Sequence, residues 1–413
     1  MTNLGYLTTM IHPQSLPQGW QLVRIKDVAL INPRRPASLN RAEDAPTSFV
    51  PMETVDSVTG TIANRITRPF GEIKYGYTYF SEGDVLFAKI TPCMQNGKSA
   101  IASDLIDGIG FGSTEFHVLR PMSAMTPEWI HHFLRQPALL LEATNHFTGA
   151  VGQQRLPVSY LEELEIPLPP LQEQKRIIKV LNEQMAEVGR ARAAAEARLD
   201  AVKALPAMFI REIFDGQEIK KWTRKKIGQI TEITARQVDP KIEEFGKLPH
   251  VNGENIESGT CKLLYLNTAA EENMTSGKYL FEAGTVLYSK LRPYLRKVVV
   301  VDFKGLCSAD VYPIKTYPNE LDPNYLAWVL LSDEFSQYAE SQSQRARMPK
   351  LNRDQLFTWE IPLPPLELQK KNVMRVQTMM DYANNIIKMA NEELSTINAL
   401  PAAMLRIAFD GEL

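Results

Sequence analysis

The sequence predicts an α+β chain written twice: two globular domains alternate with two long helices, and the helices pair as an antiparallel coiled coil about a pseudo-two-fold axis. Two observations lead there. Residues 166–216 and 361–411 align without a gap at an offset of 195, with 19 of 51 positions identical. Both stretches also carry one apolar heptad pattern over about four turns of the repeat.

The upstream halves repeat more weakly. FSEGDVLFAKITP (80–92) lies opposite FEAGTVLYSKLRP (281–293), GSTEF (112–116) opposite CSADV (307–311), and FVPMETV (49–55) opposite HVNGENI (250–256). GWQLVRI (19–25) lies opposite KWTRKKI (221–227). The chain therefore divides into a first domain (1–165), a helical region (166–216), a second domain (217–360) and a C-terminal helical region (361–413).

Within the domains, alternation over 72–80 and the runs DVLFAKI and LRKVVVVDF predict strands, and segments 127–143 and 323–340 predict helices. Each helical region opens on IPLPPL. The prolines suit a helix start, and the proline-free run 172–204 predicts a helix about 50 Å long. Its seam is Ile178, Leu181, Met185, Val188, Ala195, Leu199 and Val202, interrupted at Arg192. Moved by 195, the seam becomes Val373, Val376, Met380, Ala383, Ile387, Ala390, Leu394 and Ile397, all apolar. Pro206 and Pro401 are expected to end the long helices and open shorter ones that stop at Asp-Gly. Packing of each helix on its own domain, or on a partner chain, are the competing arrangements.

Composition narrows the class. The chain has 413 residues, 46 Lys and Arg against 48 Asp and Glu, and a net charge of −2. Such balance excludes the simplest case for nucleic-acid binding, a strongly basic chain. Residues 18–165 carry 13 basic and 16 acidic side chains, and residues 217–360 carry 20 and 19, so any basic surface must be local. No apolar run is long enough to span a membrane, and residues 1–20 lack the pattern of a secretory signal. Cys93, Cys261 and Cys307 are odd in number and far apart, which fits a reducing, cytoplasmic setting and no metal site.

Enzymatic motifs fail one by one. Gly97-Lys98-Ser99 resembles the end of a phosphate loop, but Pro92 stands where that loop needs glycine. GIGFG (108–112) lacks dinucleotide-loop spacing, Asn32-Pro33 is followed by Arg34-Arg35, and the six histidines make no ligand set. Glu72-Ile73-Lys74 could be half of a metal-nuclease motif, a triplet common by chance.

The paired IPLPPLxxQK starts (166–175 and 361–370), the heptad helices, the ALPA…FDG ends and the GDVLFAKITP and GTVLYSKLRP segments together resemble the specificity (S) subunit of type I restriction–modification systems. Trp20, Trp222 and the stretches QQRLP and RMPKLN add to the resemblance, which covers residues 18–413. It implies two target-recognition domains, each reading one half of a split, asymmetric site on double-stranded DNA. The conserved helices would set the spacer and dock two methyltransferase (M) subunits, which a motor-endonuclease (R) subunit then joins. S-adenosylmethionine would belong to M, ATP and Mg²⁺ to R, and no cofactor or catalysis to this chain. A non-DNA scaffold holding two domains on the same rod is the alternative.

Candidate DNA contacts are polar residues in the repeated segments. The first domain offers Arg34, Arg35, Lys89, Gln95, Asn96, Lys98, Gln153, Gln154 and Arg155. The second offers Lys290, Arg292, Tyr294, Arg296, Lys297, Arg345, Arg347, Lys350 and Asn352. Lys and Arg suit phosphates, and Gln and Asn can pair bidentately with adenine. For each of them the competing reading is a solvated surface residue.

Overall fold

The computed structural model describes residues 16–150, 152–234, 236–343 and 349–413. The stretch read against a secretory signal lies largely outside these residues. The chain forms two compact units, one of residues up to Ala194 together with Leu394–Leu413, the other Ala195–Glu393. Each unit holds one globular domain and parts of both long helices, so the units cross the repeat boundaries at 166 and 361.

In the first unit, strands Ala29–Ile31, Phe116–Pro121, Val85–Ala88 and Ser99–Ile101 lie side by side in that order, all antiparallel. A second sheet runs Ile66–Pro69, Pro46–Val50, Ile109–Gly112, Thr78–Ser81, and its central pair is parallel. Val85–Ala88 is buried on both faces, which is why VLFA reads as a continuous apolar run. The IPLP strand Glu165–Leu168 pairs with Gln21–Arg24 at the start of the domain.

The second unit repeats this plan. Its sheets run Thr231–Ile233, Val311–Thr316, Val286–Ser289, Val298–Val300, and Gln237–Val238, Lys278–Phe281, Gly305–Cys307, Pro249–Val251, Asn267–Thr268. Again one central pair is parallel, and Arg224–Lys226 pairs with Glu360–Pro362. Ile109–Gly112 of the GIGFG run is strand, and Gly110 makes room there: a Cβ on it would sit 2.3 Å from the Phe80 ring. Gly305 stands in the same relation to Phe281, at 2.6 Å.

Three local expectations change. Alternation over 72–80 does not make one strand: Phe70–Ile73 is a helical turn, and the strand starts at Thr78 after Gly76 takes a left-handed φ of 78°. The two predicted domain helices are each split, into Pro127–Leu134 and Pro137–Ala143, and into Pro323–Val329 and Asp333–Ser343. Pro137 cannot donate within a helix, and the Ser332 hydroxyl accepts the Phe335 N–H at 3.2 Å, starting a new one. Finally, Pro401 does not end its helix. Helix Leu366–Phe409 runs 44 residues through it, whereas the first copy breaks into Leu171–Lys203 and Leu205–Phe214. An internal proline removes one N–H and bends a helix without always stopping it.

The heptad stripe is the covered stripe. Ile178, Leu181, Val188, Ala195, Leu199, Val376, Met380, Ala383 and Ala390 are buried. Met185, Arg192, Val202, Val373, Ile387, Leu394 and Ile397 are half-buried. Each repeat ends on the other domain. In the first unit Phe409 packs on Trp129, ring centroids 4.5 Å apart, and on Phe133. In the second, Phe214 meets Tyr325 at 5.7 Å.

Candidate nucleic-acid interface

The two segments that the repeat singled out come together in each unit. In the first, the Thr91 N–H donates to the Gln154 carbonyl at 3.0 Å and the Leu156 N–H to the Lys89 carbonyl at 2.8 Å. In the second, Arg292 N–H donates to Pro349 at 2.8 Å and Leu351 N–H to Lys290 at 3.0 Å. The loop after the buried strand is thus stitched to the stretch before the long helix, twice, at equivalent positions.

An acid closes each constellation. The backbone N–H of Lys89 donates to the Glu115 carbonyl at 2.9 Å, and that of Lys290 to Asp310 at 3.0 Å. Glu115 and Asp310 sit at the same place in GSTEF and CSADV. The Arg155 guanidinium takes Glu115 bidentately, Nε to Oε2 at 2.9 Å and Nη2 to Oε1 at 2.8 Å. This bond, foremost, holds the Glu115 carboxyl below its ordinary range. In the second unit the pairing is looser: Lys290 Nζ lies 3.7 Å from Asp310 and 5.1 Å from the centre of the Tyr312 ring. Burial, then the neighbouring Lys350 charge, lowers the Lys290 pKa. Lys98 and Lys297 match as well, their ammonium groups donating to the Met52 carbonyl at 3.0 Å and the Gly253 carbonyl at 2.5 Å.

The remaining candidates separate. Gln95, Asn96 and Gln153 are exposed, and Gln154 is half-buried beside Arg155. Arg34 and Arg35 line a different cavity of about 250 Å³ with Lys74 and Tyr77. There Arg35 donates to the Lys74 carbonyl at 2.9 Å and stacks over Tyr75 at 5.3 Å. Lys74 also pairs with Glu43, so its charge is shared within the domain.

In the second unit Arg292 and Lys297 line a cleft of about 460 Å³ with Gly253, Ser308 and Asp310. Tyr294 and Lys350 are exposed. Arg296 is spent internally, its Nη1 on Asp333 at 2.7 Å. Asn352 is a helix cap, its side chain accepting the Gln355 N–H at 2.8 Å. Arg345 and Arg347 lie outside the described residues.

Sequence reading missed three groups. Glu115 and Asp310 were visible as acids at matched positions. His117 is buried, with Nε2 2.8 Å from the Leu156 carbonyl and Nδ1 3.2 Å from Asn32 Nδ2, and burial lowers its pKa. Gln174 and Gln369 of the repeated QK are fully buried. Gln174 accepts from Thr126 N–H at 3.0 Å and donates to the Ala124 and Pro169 carbonyls, both at 2.9 Å. Gln369 does the same with Asp322, Glu320 and Pro364. These two side chains clamp each long helix to its domain.

Among the described residues no cluster of three or more His, Cys, Asp or Glu is placed to hold a metal, and no helix is long and apolar enough to cross a membrane. A family model, the type I restriction modification DNA specificity domain, matches residues 17–188 and again 219–396. The chain belongs to this family.

The two matched copies each contain one stitched loop and the first part of one long helix. The EcoEI specificity subunit of Escherichia coli is 33% identical over 217 residues, 51% of this chain and 36% of that protein. The MjaVIII specificity subunit of Methanocaldococcus jannaschii is 21% identical over 425 residues, 98% of this chain and 95% of that protein. The matched stretch thus spans little more than a third of the E. coli relative's length. The HsdS subunit from Thermoanaerobacter tengcongensis shares the fold, with a TM-score of 0.66 at 22% identity, covering 97% of this chain and 99% of that one. A chain solved in work on assembly and conformational transition of the type I R-M system has a TM-score of 0.78, also at 22% identity, covering 97% and 100%.

Proposed function

We propose that this chain is the DNA-addressing subunit of a type I restriction–modification complex, each domain reading one half of a split, asymmetric duplex target. The observation that carries the reading is the duplicated constellation: Lys89, Lys98 and Arg155 in one unit, Lys290, Lys297 and Lys350 in the other, on equivalent backbone bonds. Lysines positioned by backbone suit phosphates, and exposed Gln95, Asn96 and Gln153 suit base edges. The local charge is modest, so partner subunits complete the binding surface.

The long helices hold the two domains at a set spacing as an antiparallel coiled coil and dock two M subunits, to which R subunits add. Contacts inside the second unit support the direction. There Arg198 pairs with Glu393 at 2.9 Å, and Glu212, further along the same repeat, pairs with Arg375. Rising numbers on one repeat meet falling numbers on the other. Methyl transfer with S-adenosylmethionine falls to M, and ATP with Mg²⁺ to R; this chain supplies address and assembly. No observation favours the scaffold alternative.

The test is selection from random duplex DNA by the full chain assembled with its methyltransferase. Enrichment of two half-sites at a fixed gap is expected. Retention of DNA with no enriched split sequence would sink the reading.

A further inference from the structure

Arg155 differs from the other cations of the interface in how completely it is fixed. Its backbone lies in the middle of a three-stranded bridge, paired with Ile90 on one side and Thr148 on the other. The Arg155 N–H donates to Thr148 at 2.9 Å, and the Thr148 N–H returns to the Arg155 carbonyl at 3.0 Å. Glu115 is pinned too, its carbonyl accepting from Lys89 and its N–H donating to the Ser113 hydroxyl at 3.2 Å.

A guanidinium has five N–H bonds in one plane. Nε and Nη2 each give one to Glu115, and Nη1 gives one to the Gln153 carbonyl at 3.1 Å. Two are left without a partner among the described residues, one on each terminal nitrogen. The side chain is 42% exposed and its acid 24% exposed, so the pair lies at the surface of the domain, where a ligand can reach it. Two parallel donors held at the end of a fixed plane match the O6 and N7 acceptors of guanine in the major groove. A phosphate contact needs no such fixing, because a mobile cation serves equally well.

We infer that Arg155, oriented by Glu115, reads a guanine in the half-site of the first domain. The inference rests on the DNA-addressing function proposed above. Glu115 is a positioning residue: it removes the side-on pair of donors and leaves the end-on pair aimed outward. The second domain has no such fork. Lys350 and Asp310 occupy the equivalent positions, and a lysine offers a point charge. The guanine requirement from this position therefore belongs to one half-site alone.

The experiment is selection from random duplex DNA by the full chain assembled with its methyltransferase, as wild type, Arg155→Lys and Glu115→Gln. For the wild type we expect one guanine to dominate a position of one half-site. Arg155→Lys should cut the preference for that guanine by about 5- to 100-fold and leave the other half-site and the spacing unchanged. Glu115→Gln keeps the guanidinium but loses the charge that holds it, so it should keep guanine as the favoured base with a smaller margin.

A preserved second half-site shows that either variant is folded and assembled. If Arg155→Lys lowers retention evenly over all sequences, or leaves base preferences unchanged, the guanine assignment is overturned while the addressing function stands. If the wild type enriches no split sequence, the addressing function falls, and this inference falls with it.

Discussion

At the scale of single residues, the most consequential side chains are uncharged. Gln174 and Gln369 each satisfy three buried backbone groups where a long helix leaves its domain. Truncation leaves those groups without partners and without water. Gln174→Ala should cost about 3 kcal/mol, read as a lower urea midpoint, and Gln369→Ala the same in the second unit.

A second residue sets acid sensitivity. Burial, then the nearby Arg135 charge, pushes the His131 pKa down to about 3. The unfolded chain protonates near 6.5. Above that value both states are neutral and the contribution is complete. Below it only the unfolded state gains a proton, so stability drains as pH falls from about 6.5 toward 3. Melting temperature should fall as the pH is lowered through this window, and His131→Gln should make that fall shallower. His117 and His132 shift in the same direction, so the single variant removes only part of the slope.

Lys89 and Lys290 were readable in the sequence because they are polar and repeated. The glutamines carried the same repeat signal yet gave no hint of their role. Their partners are carbonyls and amides brought together only by folding.

At the scale of elements, the seam was the most legible feature. A period of 3.5 needs no tertiary information, and all of its predicted positions are buried or half-buried. Breaks were less legible. Prolines 137, 206 and 401 look alike in sequence, but the first two divide helices and the third is absorbed into one. The strand over 72–80 failed because Gly76 makes a turn inside an alternating run. The proposed role of the helices as spacer can be measured. Removing one heptad from each preserves the seam and shortens the rod by about 10 Å, roughly three base pairs. Selected DNA should lose about that length from its gap and keep both half-sites. Altered half-sites would show that the helices take part in base reading.

At the scale of the molecule, the repeat announced two like domains, but not that each compact unit borrows from both repeats. Sequence similarity reports what is alike, and contact is a separate matter. The consequence for engineering is concrete. Replacing residues 18–165 by another domain of the family should change one half-site only. The graft must keep the seat for Phe409 formed by Trp129 and Phe133. A graft without that seat should leave the C-terminal segment 399–411 open to protease, which limited digestion would reveal.

Arg198 and Glu393 lie 195 residues apart, so they are the same position of the two repeats, and they face each other. Two identical halves meeting about a dyad would set arginine against arginine, or glutamate against glutamate, at that point. The fused chain instead meets itself with opposite charges. The pair thus adds a small bias toward joining unlike repeats and against joining two copies of the same repeat, whichever molecules supply them.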